Sequence, residues 1–222
     1  MIIKIARDGY KFIAWFGGLT LITLGLGIFY SNWFFYSAST VFSIFTMLCA
    51  IFFRDPARSV KKIYQDGNHV LSPADGTIDL IEKDVIFDGA KYDKISIFLS
   101  IFDVHINRAP VTGTITYIRH KSGEFFNAMK LKSEKHNERK YIYFRTEGGL
   151  NIIMVQIAGY IARRIVGFKN CEVGRELQAG ERVGLIRFGS RVTVYVPAGS
   201  FHLNAVLGES VVGGVTLLAT AI

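Results

Sequence analysis

The sequence predicts a mainly β (α+β) protein: a barrel-like β-sandwich domain preceded by a two-helix transmembrane hairpin. Three observations carry that reading. Residues 12–53 contain no charged side chain, and an uncharged span of that length is rare in soluble folds. From His69 onward the chain changes to short apolar or alternating runs split by Gly, Asp and Asn, the signature of closely spaced strands. A hydrophobic content of 50% over 222 residues is high for a chain that meets only water.

Within the uncharged span, Ser31-Asn32 interrupts the apolar run near its middle. Each half is about 20 residues, the length a helix needs to cross the hydrocarbon core. Helices are expected at about 12–30 and 33–53, in a membrane hairpin of residues 1–54. Tyr30 and Trp33 flank the turn, where amphipathic rings favour the interface. Lys4, Arg7 and Lys11 precede the first helix, and Arg54, Arg58, Lys61 and Lys62 follow the second. Both flanks are basic and the turn is uncharged, so both ends are expected on the cytoplasmic face of the cell (inner) membrane. The apolar run continues past any cleavage point, which argues against a removable signal peptide. The net charge of +8 suits nucleic acid or an anionic lipid surface. Beside a membrane hairpin, the expected partner is anionic lipid and not nucleic acid. Cys49 and Cys171 lie far apart and show no disulfide framework or metal-type spacing.

Residues 55–222 make up the second domain, expected to be cytoplasmic. Pro56 starts a new segment after the hairpin. The runs 77–81, 95–99, 114–118, 141–144, 151–155 and 215–218 read as strands. Short helices are expected near 122–129 and 158–166. No tandem repeat or low-complexity tract is visible.

Four polar clusters interrupt the strand pattern. Ser72-Pro73-Ala74-Asp75-Gly76 reads as a turn; alternatively, Asp75 is a carboxylate that orients a histidine. In Phe102-Asp103-Val104-His105-Ile106-Asn107-Arg108, His105 lies at or just past a strand end. It is either a hydrogen-bonded structural residue or, with Asp103, Asn107 and Arg108 nearby, part of a polar pocket. The charged run 133–140 reads as a solvated loop, or as a loop facing lipid headgroups. The fourth cluster, Arg187-Phe188-Gly189-Ser190-Arg191, joins two extended segments, 182–186 and 192–197. Glycine at such a turn permits backbone angles denied to other residues. The serine that follows can turn its hydroxyl on the preceding carbonyl, given a base and an oxyanion site.

Taken in order, Phe52-Phe53-Arg54-Asp55-Pro56, Ser72 to Gly76, Phe102 to Pro110, Lys135-His136-Asn137-Glu138-Arg139 and Arg187 to Arg191 resemble one family. They are similar to the short form of phosphatidylserine decarboxylase, a pyruvoyl-dependent membrane lyase of phospholipid biosynthesis. The resemblance runs from about Arg54 to Gly214, and two preceding membrane segments also fit that short form. It implies a zymogen that cuts itself between Gly189 and Ser190. It also implies a covalent pyruvoyl group made from Ser190, with no metal and no diffusible cofactor. The ketone would take the amine of phosphatidylserine as a Schiff base and act as an electron sink for decarboxylation to phosphatidylethanolamine. Carried over residue by residue, the catalytic set is Ser190, His105 as proton donor and Asp75 as base partner. The two fragments would remain together as a heterodimer, and family habit suggests a homodimer.

One departure from the family matters. Longer members carry an Asp-Tyr-His-x-x-His motif. Here Asp103-Val104-His105 matches its first half, but Arg108 stands where the second histidine would be. The two histidine roles would then fall on His105, with His136 and His202 the next candidates. A reading from another class is a membrane-anchored β-rich adaptor or binding module, in which Gly189-Ser190 is only a turn and no autocleavage occurs.

Overall fold

The uncharged N-terminal span folds as two helices, α1 (Tyr10–Tyr30) and α2 (Trp33–Phe52). The computed structural model describes residues 4–123, 136–159, 165–186 and 190–222. Ser31 takes a left-handed conformation (φ 50°) at the break. Asn32 then caps α2, its side chain accepting from the Phe34 amide at 3.0 Å, as a good N-cap residue does. The helices pack antiparallel. Ser39 donates to the Thr20 carbonyl at 3.1 Å, Phe16 stacks on Phe45, and Gly27 leaves room for the Tyr36 ring. Trp15, Leu21, Ile22, Phe29, Phe34 and Met47 point outward, all more than half exposed. Both helices are long and apolar enough to cross a membrane. A short ribbon ties the ends of the hairpin, β1 (Lys4–Ile5) pairing with β2 (Arg54–Asp55). These elements belong to one compact unit, Met1–Ala57; a second unit spans Arg58–Ile222.

The regular structure described in the second unit is mostly strand. In chain order it contains β3 (His69–Leu71), β4 (Gly76–Phe87), β5 (Ala90–Leu99), β6 (Ile106–Arg108), β7 (Gly113–Lys121), β8 (Arg139–Arg145) and β9 (Asn151–Ile157). There follow β10 (Ile165–Gly167), β11 (Glu176–Leu177), β12 (Arg182–Ile186), β13 (Ser190–Pro197), β14 (Phe201–Leu203), β15 (Ser210–Val211) and β16 (Leu217–Ala221). Eight of them form one antiparallel, curled half-barrel sheet in the order β11-β7-β8-β9-β13-β5-β4-β15. Two three-stranded sheets, β10-β12-β6 and β14-β16-β3, complete the domain.

Alternation along the long strands builds the core. Val192, Val194 and Val196 of β13 join Ile95, Ile97 and Leu99 of β5 and residues of both small sheets in one apolar cluster. The intervening residues face the other way. There Tyr92, Tyr141 and Tyr195 gather around Phe87, which stacks on Tyr195 at 4.6 Å between centroids. The β4–β5 hairpin turns at Asp88-Gly89, both with positive φ (46° and 81°), the backbone that a two-residue hairpin loop requires.

The mainly β fold with two membrane-length helices agrees with the sequence expectation. The strands expected at 77–81, 95–99, 114–118, 141–144 and 151–155 are segments of β4, β5, β7, β8 and β9. In the 215–218 run only Leu217 and Leu218 are strand. The expected helix near 122–129 lies mostly outside the described residues, as do 160–164 of the second. That second helix does not reach its expected end, because Ile165 and Val166 are paired in β10 with Ile186 and Leu185.

Gly76 opens β4 at φ 152°, and a Cβ there would collide with the Phe98 carbonyl oxygen across the sheet. Gly76→Ala is therefore expected to destabilise the domain by about 2 kcal/mol. At roughly 2–4 °C per kcal/mol for a protein of this size, melting of the detergent-solubilised protein should fall by several degrees. An unchanged melting temperature would contradict this account.

Candidate active site

Ser190 and His105 lie where two chain segments change sheets together. β5 ends at Leu99 in the large sheet, and the chain re-enters a small sheet at Ile106 of β6. Antiparallel to it, β12 ends at Ile186 in that small sheet, and β13 starts at Ser190 in the large one. Ser190 is paired with Leu99, and the Ile186 amide donates to the His105 carbonyl at 3.3 Å. Ser190 is thus set beside Leu99, and Ile186 beside His105. Gly189 lies outside the described residues.

Ser190 is fully buried. By alternation its side chain lies on the core side of β13, with Val192. Its hydroxyl has no hydrogen-bond partner among the described residues. Burying a hydroxyl without a partner is unfavourable by roughly 1–3 kcal/mol. Among the described residues, then, it is an unused polar atom rather than a satisfied turn serine.

His105 is fully buried as well. Its Nδ1 lies 2.9 Å from the Asp103 carbonyl oxygen. A carbonyl can only accept, so Nδ1 carries the hydrogen, which leaves Nε2 as the nitrogen that can exchange a proton. The turn before it is built from the same aspartate: Asp103 Oδ2 accepts from the Ser100 amide at 2.7 Å. Two residues on, buried Asn107 accepts from Gln156 Nε2 at 2.7 Å.

Asp75 lies between β3 and β4. Its Oδ2 pairs with Arg58 Nη2 at 2.6 Å, and its Oδ1 accepts from the Gly213 amide at 2.8 Å. The Ser72–Asp75 turn is fastened to β6 by the Arg108 amide, which donates to Pro73 O at 2.8 Å. Thr77 pairs with Phe98, and Phe98 with Arg191. Gly76, next to Asp75, and Ser190 therefore lie at the same end of the sheet on either side of β5, two strand spacings apart at about 5 Å each.

Arg108 is also buried, and its Nη1 donates to the Gly180 carbonyl at 2.9 Å. With Arg58, Arg182 and Glu181 it lines a polar cleft of about 450 Å³. His136 and His202 are exposed. Cys171 is no rival nucleophile. Burial pushes its thiol up, with Lys140 only partly opposing, so it stays protonated at neutral pH.

Sequence reasoning did not single out Arg58 or Gly213. Arg58 reads as part of the basic flank of a membrane helix, whereas the structure turns it onto Asp75. The Gly213-Gly214 doublet was the available signal. A side chain at Gly213 would press on Ala74 and the Asp75 carboxylate.

The phosphatidylserine decarboxylase family profile matches residues 45–219. Among curated relatives, a phosphatidylserine decarboxylase proenzyme of Wolbachia pipientis wMel is 42% identical, over 97% of this chain and 90% of its own length. Proenzymes of the same name from Citrifermentans bemidjiense and Anaplasma phagocytophilum are 40% and 41% identical. They cover 96% and 97% of this chain, and 95% and 90% of their own lengths. With the profile spanning most of the β domain and relatives matched nearly end to end, this chain belongs to the phosphatidylserine decarboxylase family.

Proposed function

We propose that the protein is a self-processing enzyme that converts phosphatidylserine to phosphatidylethanolamine, using a pyruvoyl group made from Ser190. The observation that carries this reading is the buried Ser190 hydroxyl, without a partner among the described residues, at the start of an interior strand. The relatives' name, proenzyme, is consistent with processing.

In the maturation step, His105 Nε2 takes the Ser190 proton as Oγ attacks the Gly189 carbonyl carbon. The peptide bond becomes an ester, freeing the Ser190 amine. Loss of the Ser190 α-proton then expels the Gly189 carboxylate and leaves an enamine at residue 190. Tautomerisation and addition of water release ammonia and leave a ketone. Such a group supplies an electron sink for the electrons freed when a carboxylate leaves as carbon dioxide. The role of His105 in turnover is to protonate the carbon that has lost carbon dioxide. Asp75 supports maturation, its carboxylate fixed by Arg58 and Gly213. Arg58, Arg108 and Arg182 in the neighbouring cleft suit the phosphate of a lipid headgroup. The two apolar helices hold the enzyme in the inner membrane with the β domain on the cytoplasmic face, and residues 1–189 and 190–222 remain together as a heterodimer.

The first test is chain composition. Active protein should run as two fragments on a denaturing gel, and Ser190→Ala as one inactive chain. The downstream fragment should resist Edman degradation and weigh about 17 mass units less than its serine-started equivalent, the loss of ammonia. A single full-length chain in active preparations would end this reading.

Variants separate the two jobs. His105→Ala should impair both cutting and turnover, each by about 100-fold or more. Asp75→Asn should slow mainly the cut, and whatever fraction matures should turn over almost normally. Cut fraction, turnover per ketone and melting temperature are to be measured together. A His105→Ala protein that matures and turns over at wild-type rates would rule out this histidine.

Topology is checked with reporter fusions. Positions Tyr64 and Ser31-Asn32 should report opposite sides, with Tyr64 inside. An external Tyr64 would place the domain on the wrong face.

A further inference from the structure

Arg191 follows Ser190 directly and takes no part in the chemistry proposed for it. Arg191 is fully buried and lies on the face of β13 opposite Ser190. Its guanidinium crosses β5 to reach Asp79 of β4 with both terminal nitrogens, Nη1 to Oδ1 at 2.7 Å and Nη2 to Oδ2 at 2.5 Å. The β4–β5 register shifts between Ile78 and Leu80, so Asp79 is the extra residue of a β-bulge, a device that re-aims a side chain. Arg191 is buried, whereas the Asp79 side chain is 30% exposed, and an ion pair open to water on one side contributes little to stability on its own. Its place next to residue 190 gives it another use.

Cutting between 189 and 190 changes how residue 190 is held. In the uncut chain it is tethered covalently on both sides. Afterwards it is a strand end, and strand ends fray unless tied down. Pairing of β13 with β5 starts at Ser190, but pairing with β9 starts only at Arg191. Residue 190 thus has a strand partner on one side, and Arg191 is the first residue gripped from both. A two-point, charge-assisted link such as Arg191–Asp79 fixes direction as well as distance.

We propose that the Arg191–Asp79 pair is the clamp that holds residue 190 in place once the chain has been cut, Arg191 and Asp79 serving as positioning residues that do not touch the substrate. This inference rests on the maturation of Ser190 proposed above. Before the cut, chain continuity shares the task; after it, the clamp and the pairing of residue 190 with Leu99 are left to restrain the new end.

The test uses the full-length protein in detergent micelles. The double variant Asp79→Leu/Arg191→Met removes both ends of the link, and melting is measured alongside so that a loss of turnover without a matching loss of melting marks positioning. It should mature fully. Turnover per ketone should fall about 10–100-fold, the scale of a small misplacement of a reacting group, with KM within twofold of wild type. Amide exchange at residues 191–193 should accelerate in the cut variant, but stay at the parent level when the same double change is made on an uncut Ser190→Ala background. Wild-type turnover, or equal acceleration in cut and uncut forms, would overturn the clamp. If the double variant does not accumulate, Asp79→Asn, with Asp79→Glu as its conservative counterpart, is judged by the same readouts. A wild-type protein that is never cut would instead overturn the reading of Ser190, a result the gel shows before any clamp variant is made.

Discussion

The hydrogen-bond ladder that locks β13 into the middle of the large sheet is the constraint on which the rest of this domain depends. β13 pairs with β5 from Ser190 to Pro197 and with β9 from Arg191 to Tyr195. An interior strand cannot shift by one residue without turning its valines out of the core. The ladder therefore fixes Ser190 on the core side and Arg191 on the other. One register thus sets Ser190 and Arg191 on opposite faces at the same time.

A second constraint follows from the two sheet changes. β5 to β6 and β12 to β13 leave one sheet for another at the same level, and the ends of both connections are hydrogen-bonded together. Between the sheets, polar groups can be buried without breaking either ladder. His105, Ser190 and the Asn107–Gln156 pair are all fully buried in the domain. The site is thus built from backbone geometry first, with side chains from distant parts of the sequence set into it. Asp75 enters from the opposite flank of β5, held by a loop that Gly213 allows to approach closely.

The features legible in the sequence were those with local physical signatures. The hairpin could be placed to within two residues at each helix end, because charge is excluded from residues 12–53 and Asn32 is a natural cap. Strands of seven residues or more showed alternation or continuous apolar runs. β3, β6, β10, β11, β14 and β15 are two or three residues long, too short to carry a period, and nothing local marks Ile165–Gly167 as an edge strand. Ser190, His105 and Asp75 were noticed as interruptions of the strand pattern. Their partners were not, because pairing is a tertiary fact. Asp79 and Arg191 lie 112 residues apart, and the bulge that aims Asp79 leaves no mark in an otherwise ordinary alternation. Arg58 was hidden by a competing explanation, since a basic residue just past an apolar helix already has a reason to be there.

The position of the proposed cut also bears on the molecularity of folding. Residues 190–222 supply β13 to β16, so the downstream piece contributes an interior strand, and its last strand is central to a small sheet. If maturation proceeds as proposed, folding precedes the cut and is unimolecular, whereas unfolding afterwards yields two chains. Loss of the covalent link replaces a high effective concentration with the bulk one, and stability becomes dependent on protein concentration. The mature enzyme should then melt at lower temperature on dilution and recover poorly on cooling. The uncut Ser190→Ala chain should do neither. The native arrangement would persist because the strands hold each other in place, and not because the separated pieces could readily find it again.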